Sequence, residues 1–255
     1  MSLQFIIGNS GAGKSYIAYQ NVIREAVDHP GKMYYVIVPE QFTMQTQKTL
    51  VEMHPQKGIL NIDVLSFERL AYRIFEEVGG DTRKVLEETG KNMVLQKLVQ
   101  VNQKKLMYLK NQMKKPGYLD EVKSLISEFM QYEIHEEEMD KMLADAEDKP
   151  LLQMKLRDVT ILYQAFREYL SDHFMTAEEV LEVLAREIPF SKKLKGSVIV
   201  LDGYTGFTPI QHTVIRELLK VCERMSVTVT MDVREKLSGR GKPHELFYMS
   251  HRMIR

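Results

Sequence analysis

Gly8-Asn-Ser-Gly-Ala-Gly-Lys-Ser15 is the stretch on which the fold turns. It fits the pattern G-x-x-x-x-G-K-[ST]. The apolar run Leu3–Ile7 ahead of it has strand character, and residues 15–26 after it have helical character. That order of strand, glycine loop and helix gives the motif its meaning. The glycines let the backbone curl so that successive N–H groups face inward on phosphate oxygens, and the helix N-terminus adds positive potential. Gly8, Asn9, Ser10, Gly11, Ala12, Gly13, Lys14 and Ser15 are therefore the expected ATP-binding set. Lys14 is expected to reach the β and γ phosphates, and Ser15 to place its hydroxyl on Mg²⁺.

Working outward, the same rhythm recurs twice. Residues 33–38 read as a buried strand before a helix from about Gln41, and residues 59–65 as another before a helix over 67–78. Repeated strand–helix units predict a parallel sheet. From about residue 81 to 194 the pattern turns helical, broken at Lys115-Pro-Gly117, Lys149-Pro150 and Ile188-Pro189. Ser197–Leu201 then returns to the buried-strand type, with a helix near 211–222 and a strand over 226–233. The expectation is an α/β fold: a P-loop NTPase parallel sheet from residues 1–80 plus 195–255, carrying an all-helical insertion over 81–194. Ser238–Pro243 reads as a loop, and the helical pattern from His244 to Arg255 stops without a cap, which suggests a piece of a longer chain.

The 255 residues are 44% hydrophobic, enough for one large domain or two small ones with real cores. Thirty-five basic residues balance 35 acidic ones, so no global field draws the chain onto nucleic acid and any DNA contact must be local. The lone Cys222 excludes an internal disulfide, and neither a signal peptide nor an 18-residue apolar span is present. A cytoplasmic protein with no membrane partner is expected.

Hydrolysis needs a second strand that delivers an Asp to Mg²⁺ and, in helicase-type enzymes, an adjoining Glu to orient water. Asp202, in Val200-Leu-Asp-Gly203 at the end of the apolar run Ser197–Leu201, is the candidate metal ligand alongside Ser15. Its neighbour is Gly203, so the water-positioning slot carries no carboxylate and the catalytic residue is unassigned. Binding is supported by the residues; turnover is not.

Leu201-Asp-Gly-Tyr-Thr-Gly-Phe-Thr-Pro-Ile-Gln211 resembles the second motif of UvrD-like superfamily 1 helicases, V-D-E-Y-Q-D-T-N-P-L-Q, matching at Asp202, Tyr204, Pro209 and Gln211. Leu65-Ser-Phe-Glu-Arg-Leu-Ala-Tyr-Arg73 is similar to the helicase segment T-F-H-x-x-x-x-R, with Ser66 and Phe67 in the Thr-Phe positions and Glu68 where His is usual. Pro39-Glu-Gln-Phe-Thr43 sits where such proteins contact single-stranded DNA. Only seven residues precede Gly8, too few for an adenine-reading glutamine segment. With these motifs, the chain resembles the AddB (RexB) family of helicase/deoxyribonuclease subunits. The resemblance implies a helicase first-motor-domain fold in a DNA-repair enzyme of homologous recombination and a heterodimer with the motor subunit AddA. It also implies a DNA-facing edge at Pro39, Gln41, Thr43, Ser66 and Phe67. A RecB-type exonuclease domain with an iron–sulfur cluster belongs, in that family, beyond residue 255; Cys222 alone cannot supply the cluster's four ligands.

Other features read as structural. Lys104-Lys105, Lys114-Lys115, and Lys192-Lys193 with Lys195 could neutralise phosphates but read first as a solvated face. Glu136-Glu-Glu138 points in diverging directions on a helix, and His135, His173 and His212 lack zinc-ligand spacing. Cys222 and the aromatics Tyr16, Tyr19, Tyr34 and Tyr35 read as packing residues. Two rivals from other classes stand open: a P-loop small-molecule kinase with a helical lid, which should show a catalytic Asp or an arginine-rich lid although the insertion holds no Arg cluster, and a non-enzymatic scaffold that binds DNA or a partner without nucleotide.

Overall fold

A computed structural model describes residues 2–79, 83–112, 115, 117–171, 174–232, 234–235 and 244–254. His173, Lys114 and the loop expected at Ser238–Pro243 lie outside the described residues. The chain divides into two compact units, Met1–Gly80 with Leu181–Arg255, and Asp81–Val180.

The first unit opens with β1 (Ser2–Gly8), α1 (Lys14–Asp28), β2 (Tyr34–Ile37), α2 (Thr43–Met53), β3 (Ile62–Leu65) and α3 (Phe67–Val78). α1 buries Ala18, Tyr19, Val22, Ile23 and Ala26, a stripe at helical spacing. α3 starts at Ser66, whose hydroxyl caps it by accepting from the Arg69 N–H, and stops at Gly79 in the left-handed conformation. β3 begins three residues later than the apolar run: Leu60 stands in solvent, and the Asn61 amide donates to the Ala26, His29 and Lys32 carbonyls, pinning the approach to the strand.

The second unit contains β4 (Lys84–Val85), α4 (Glu88–Val101), α5 (Leu109–Gln112), α6 (Tyr118–Gln131), α7 (Glu136–Asp145), α8 (Pro150–Ser171) and β5 (Phe174–Met175). The expectation of an all-helical insertion is corrected here. β4 and β5 pair in parallel, and the Leu86 N–H donates to the Met175 carbonyl at 2.8 Å. Two-residue strands are too short to leave an alternating pattern in the sequence. The core of this unit gathers Leu95, Ile126, Leu162, Phe166 and Leu170 from α4, α6 and α8. Asp158, fully buried on α8, accepts the backbone N–H groups of Met107, Tyr108 and Leu109 and so fixes the entry to α5.

α9 (Ala177–Glu187) leads back to β6 (Val198–Leu201), α10 (Pro209–Val221), β7 (Arg224–Thr230) and α11 (Tyr248–Ile254). Glu77 ties the return: its carboxylate accepts from the Ser191 hydroxyl and the Lys192 and Lys193 N–H groups. β7 starts two residues before the sequence suggests, because Arg224, a charge that the apolar pattern rejects, is satisfied by Glu25: its Nη2 donates to both carboxylate oxygens at 2.8 Å. The five strands form a wholly parallel sheet in the order β1-β7-β6-β2-β3. β2 and β6 are buried at every position, as expected where both faces of a parallel sheet are covered. No described helix is long and apolar enough to cross a membrane.

Strand order determines where a ligand can enter. From β2 the chain moves to β3; from β6 it moves the other way, to β7. The crevice at the carboxyl ends of β2 and β6 is therefore a topological switch point, where open α/β sheets bind ligands. Pro39 and Asp202 follow those two ends.

Candidate nucleotide site

The loop between β1 and α1 is built by glycine conformation. Gly11 and Gly13 have φ of 74° and 82°, the left-handed region that side-chain-bearing residues rarely adopt. A Cβ at either would meet nothing within 4 Å, so the loop opens on free space. Gly13 caps α1 without a side-chain hydrogen bond, leaving the first helical N–H groups available to an anion. The Ala12 N–H closes the turn onto the Asn9 carbonyl at 3.1 Å, and the Lys14 ammonium donates to the same carbonyl at 2.9 Å.

Asp202 is where α1 meets the switch point. It is 5% exposed, and its backbone N–H donates to the Ile37 carbonyl. Its carboxylate accepts three hydroxyls: Ser15 at 2.9 Å and Thr228 at 2.5 Å on Oδ1, and Tyr19 at 2.5 Å on Oδ2. The two residues expected to serve Mg²⁺, 187 positions apart in sequence, are thus in direct contact. Oxygen donors of this kind suit a hard cation. The Tyr19 phenol is pushed well above its ordinary pKa, first by burial and then by the Asp202 charge, so it remains a donor.

Gly203 follows with φ 79°. A Cβ there would meet Pro39 Cδ at 3.5 Å and Phe42 Cδ2 at 3.7 Å, ordinary contact distances. Backbone conformation rather than space disfavours a glutamate at this position. Beside Asp202 and Gly203, a cleft of about 350 Å³ runs between α1 and α2, lined by Tyr16, Tyr19, Phe42, Thr46 and Met53 among others.

The residues expected on a DNA-facing edge lie together after the carboxyl ends of the adjacent strands β2 and β3 but differ in exposure. Gln41 is exposed and Pro39 half-buried, while Thr43, Ser66 and Phe67 are buried. The Thr43 hydroxyl donates to the Glu40 carbonyl, Ser66 caps α3, and Phe67 packs against Tyr204 with ring centroids 5.6 Å apart. The aromatic row continues through Phe207 to His212. Glu40 and Arg69 form a 2.8 Å ion pair beside it, and the Ser66 hydroxyl together with Arg69 holds the Glu40 carboxyl below its ordinary pKa. His212 is pushed down by burial, then by Arg252 and Arg216.

Sequence reasoning missed Tyr19 and Thr228 as partners of Asp202. Tyr19 lies four residues after Ser15, one helical turn along the same face, which was a usable signal. Thr228 lies on the strand next to β6, where only the pairing Leu201↔Val227 reveals it. The Glu40–Arg69 pair joins the turn after β2 to the first turn of α3, 29 residues on, and left no local mark.

Comparison with known proteins adds a decisive match. The family model described as ADDB, N-terminal, covers residues 5–255. The chain belongs to the AddB N-terminal family. The B-type subunit of an ATP-dependent helicase/deoxyribonuclease from Lachnoclostridium phytofermentans is 49% identical over 253 residues, covering 99% of this chain and 22% of that protein. Proteins of the same description from Alkaliphilus metalliredigens and Clostridium tetani are 33% and 35% identical, covering 99% and 90% of this chain and 22% and 20% of theirs. The chain thus spans about a fifth of the length of the curated AddB relatives it matches. The match extends through the Asp81–Val180 unit, which the sequence motifs alone did not reach.

Proposed function

We propose that this chain is the nucleotide-binding, helicase-like N-terminal region of a subunit of a cytoplasmic helicase/deoxyribonuclease of DNA double-strand-break repair. In this reading it works beside an AddA-type motor subunit, binds ATP with Mg²⁺, handles DNA and hydrolyses little ATP itself. The observation that carries the nucleotide reading is the contact of Ser15 with Asp202 beneath a glycine loop open at Gly11 and Gly13. Gly8 to Ser15 would wrap the phosphates, with Lys14 exchanging the Asn9 carbonyl for phosphate oxygen. Ser15 and Asp202 would hold Mg²⁺, which neutralises phosphate charge when bound. The parallel sheet with its switch point at Pro39 and Asp202 supports a fold of the helicase first-motor type.

Low turnover follows from Gly203, which offers no carboxylate to orient water. DNA contact along the switch-point edge would fall to Gln41 and to Phe42, which is 44% exposed, rather than to the buried Thr43, Ser66 and Phe67.

The test is calorimetric titration of ATP with Mg²⁺ into the protein and its Lys14→Ala variant, with phosphate release measured in parallel. Saturable binding that is lost in the variant, without turnover, is expected. No binding to the parent protein overturns the nucleotide reading and leaves the scaffold. Turnover by the parent overturns the low-hydrolysis reading.

A further inference from the structure

Between Glu88 and Asp120 the sequence holds no Asp or Glu, whereas carboxylates crowd residues 133–148 of the same unit. Such segregation matters only if the cations are free. Lys91 and Lys123 are not: Lys91 pairs with Glu88, and Lys123 with Glu88 and Asp120. Lys104, Lys105, Lys110 and Lys115 are all exposed, and none has a carboxylate partner among the described residues. Four unpaired lysines within twelve residues repel one another, which favours a polyanion over solvent at this face.

The segment is also held in shape. Asp158 fastens the N–H groups of Met107, Tyr108 and Leu109 at 2.7 to 3.1 Å, directly between Lys105 and Lys110. The Lys155 ammonium lies 4.9 Å from the Tyr108 ring centroid, and the Tyr118 hydroxyl reaches that of Tyr108 at 3.4 Å. The Tyr118 hydroxyl, then Lys155 and Lys115, hold the Tyr108 phenol below its ordinary pKa. Lys155 over one face and the Tyr118 hydroxyl at its edge engage Tyr108 within the protein, so the exposed ammonium groups rather than an aromatic platform give this surface its chemistry.

We propose that Lys104, Lys105, Lys110 and Lys115, with Lys155 beside them, form a face that binds the phosphate backbone of duplex DNA without reading its sequence. This goes beyond the nucleotide site and the Gln41 edge, and requires neither. The duplex source follows from the helicase/deoxyribonuclease description of the relatives, since a helicase acts on paired strands.

Binding to a mixed-sequence blunt duplex, with no nucleotide, is followed by fluorescence anisotropy from 50 to 200 mM salt. The protein is full-length and assembled with its partner subunit. Each neutralised phosphate contributes about 0.9 to the slope of log affinity against log salt. Converting all four exposed lysines to Gln should lower the slope by about 3.6, so the parent should lose about 150-fold more affinity than the variant over that range. Lys104→Gln with Lys105→Gln should lower it by about 1.8, while Lys141→Gln with Lys149→Gln, an equal loss of charge elsewhere in the unit, should leave it unchanged. A four-lysine variant that matches the parent overturns the proposal while leaving DNA handling intact. A parent that binds no duplex sinks both. Equal effects from the two lysine pairs show a diffuse field rather than a face. An unchanged slope with weakened subunit assembly identifies an acidic protein surface as the true occupant. An effect confined to single strands also overturns it.

Discussion

Asp158→Asn should loosen the Lys104–Lys110 segment before it disturbs anything else. Three consecutive backbone N–H groups converge on this fully buried carboxylate, those of Tyr108 and Leu109 at 2.7 Å. Hydrogen bonds to a charged acceptor contribute about 1.5–3 kcal/mol each, and neutral ones about 1 kcal/mol. Asparagine keeps one acceptor oxygen, which can still serve the two N–H groups on Oδ2, but turns an NH₂ toward the Met107 N–H. The two retained bonds lose about 0.5–2 kcal/mol each and the third its full 1.5–3, so the loss is about 2.5–7 kcal/mol, large against a total stability of about 5–15 kcal/mol. Hydrogen exchange should show the amides of residues 107–109 losing protection, with the cores of α4 and α8 less affected. Limited trypsin digestion should find new cleavage after Lys104, Lys105 and Lys110. If those amides stay as protected as in the parent, the carboxylate does not hold the segment, and the pre-arranged lysine face loses its support.

Gly203→Glu places a side chain at φ 79°, which costs roughly 1–2 kcal/mol, yet finds only ordinary contacts at Pro39 and Phe42. The variant should fold with a melting temperature a few degrees lower and still release no phosphate, since a glutamate in this backbone conformation is poorly placed to orient water. Multiple turnover in a phosphate assay would contradict this. Tyr19→Phe removes one of three donors to Asp202 and should cost about 1.5–3 kcal/mol in urea denaturation; a neutral effect would show the phenol bond to be idle. For Glu40, Ser66 and Arg69 hold the folded pKa below the unfolded value of about 4.3, so the contribution is complete above that value and is lost as pH falls through the folded pKa. Both side chains of the Glu40–Arg69 pair are 53% exposed, so screening limits it to under about 1 kcal/mol. The stability gap between the parent and Glu40→Gln should narrow as pH falls below about 4.3 and through the folded pKa, and a gap that does not narrow on acidification would assign the effect elsewhere.

What the sequence made legible was local or repeated. The β1–loop–α1 unit could be read because each of its parts speaks in adjacent residues: an apolar run, glycines where φ turns positive, then a helix with an apolar stripe. The strands at residues 34–37 and 198–201 could be read because burial on both faces leaves an unbroken apolar run. What stayed hidden depends on pairings far apart in sequence. The β4–β5 pair joins residues about 90 apart through two positions, and Asp158 meets its three amides across some 50 residues. A buried carboxylate on α8 looks, as sequence, like any polar residue on a solvated face.

Asp202 and Asp158 show why burial alone does not assign function. Both are buried carboxylates with three donors apiece. The donors to Asp158 are backbone N–H groups at the entry to a helix, so its role is complete once the turn is closed. Two of the donors to Asp202, Ser15 and Tyr19, come from the helix that begins at an open glycine loop, and the carboxylate stands at the point where strand order reverses. Hydroxyls can rotate and keep a free lone pair after donating, so Ser15 can hold Asp202 and still offer its oxygen to a cation. Backbone amides cannot. The capacity to exchange partners separates the binding candidate from the structural carboxylate. The Tyr19 substitution probes that difference: a site built for exchange should lose stability and gain or lose cation dependence together, whereas a purely structural cage should lose stability alone.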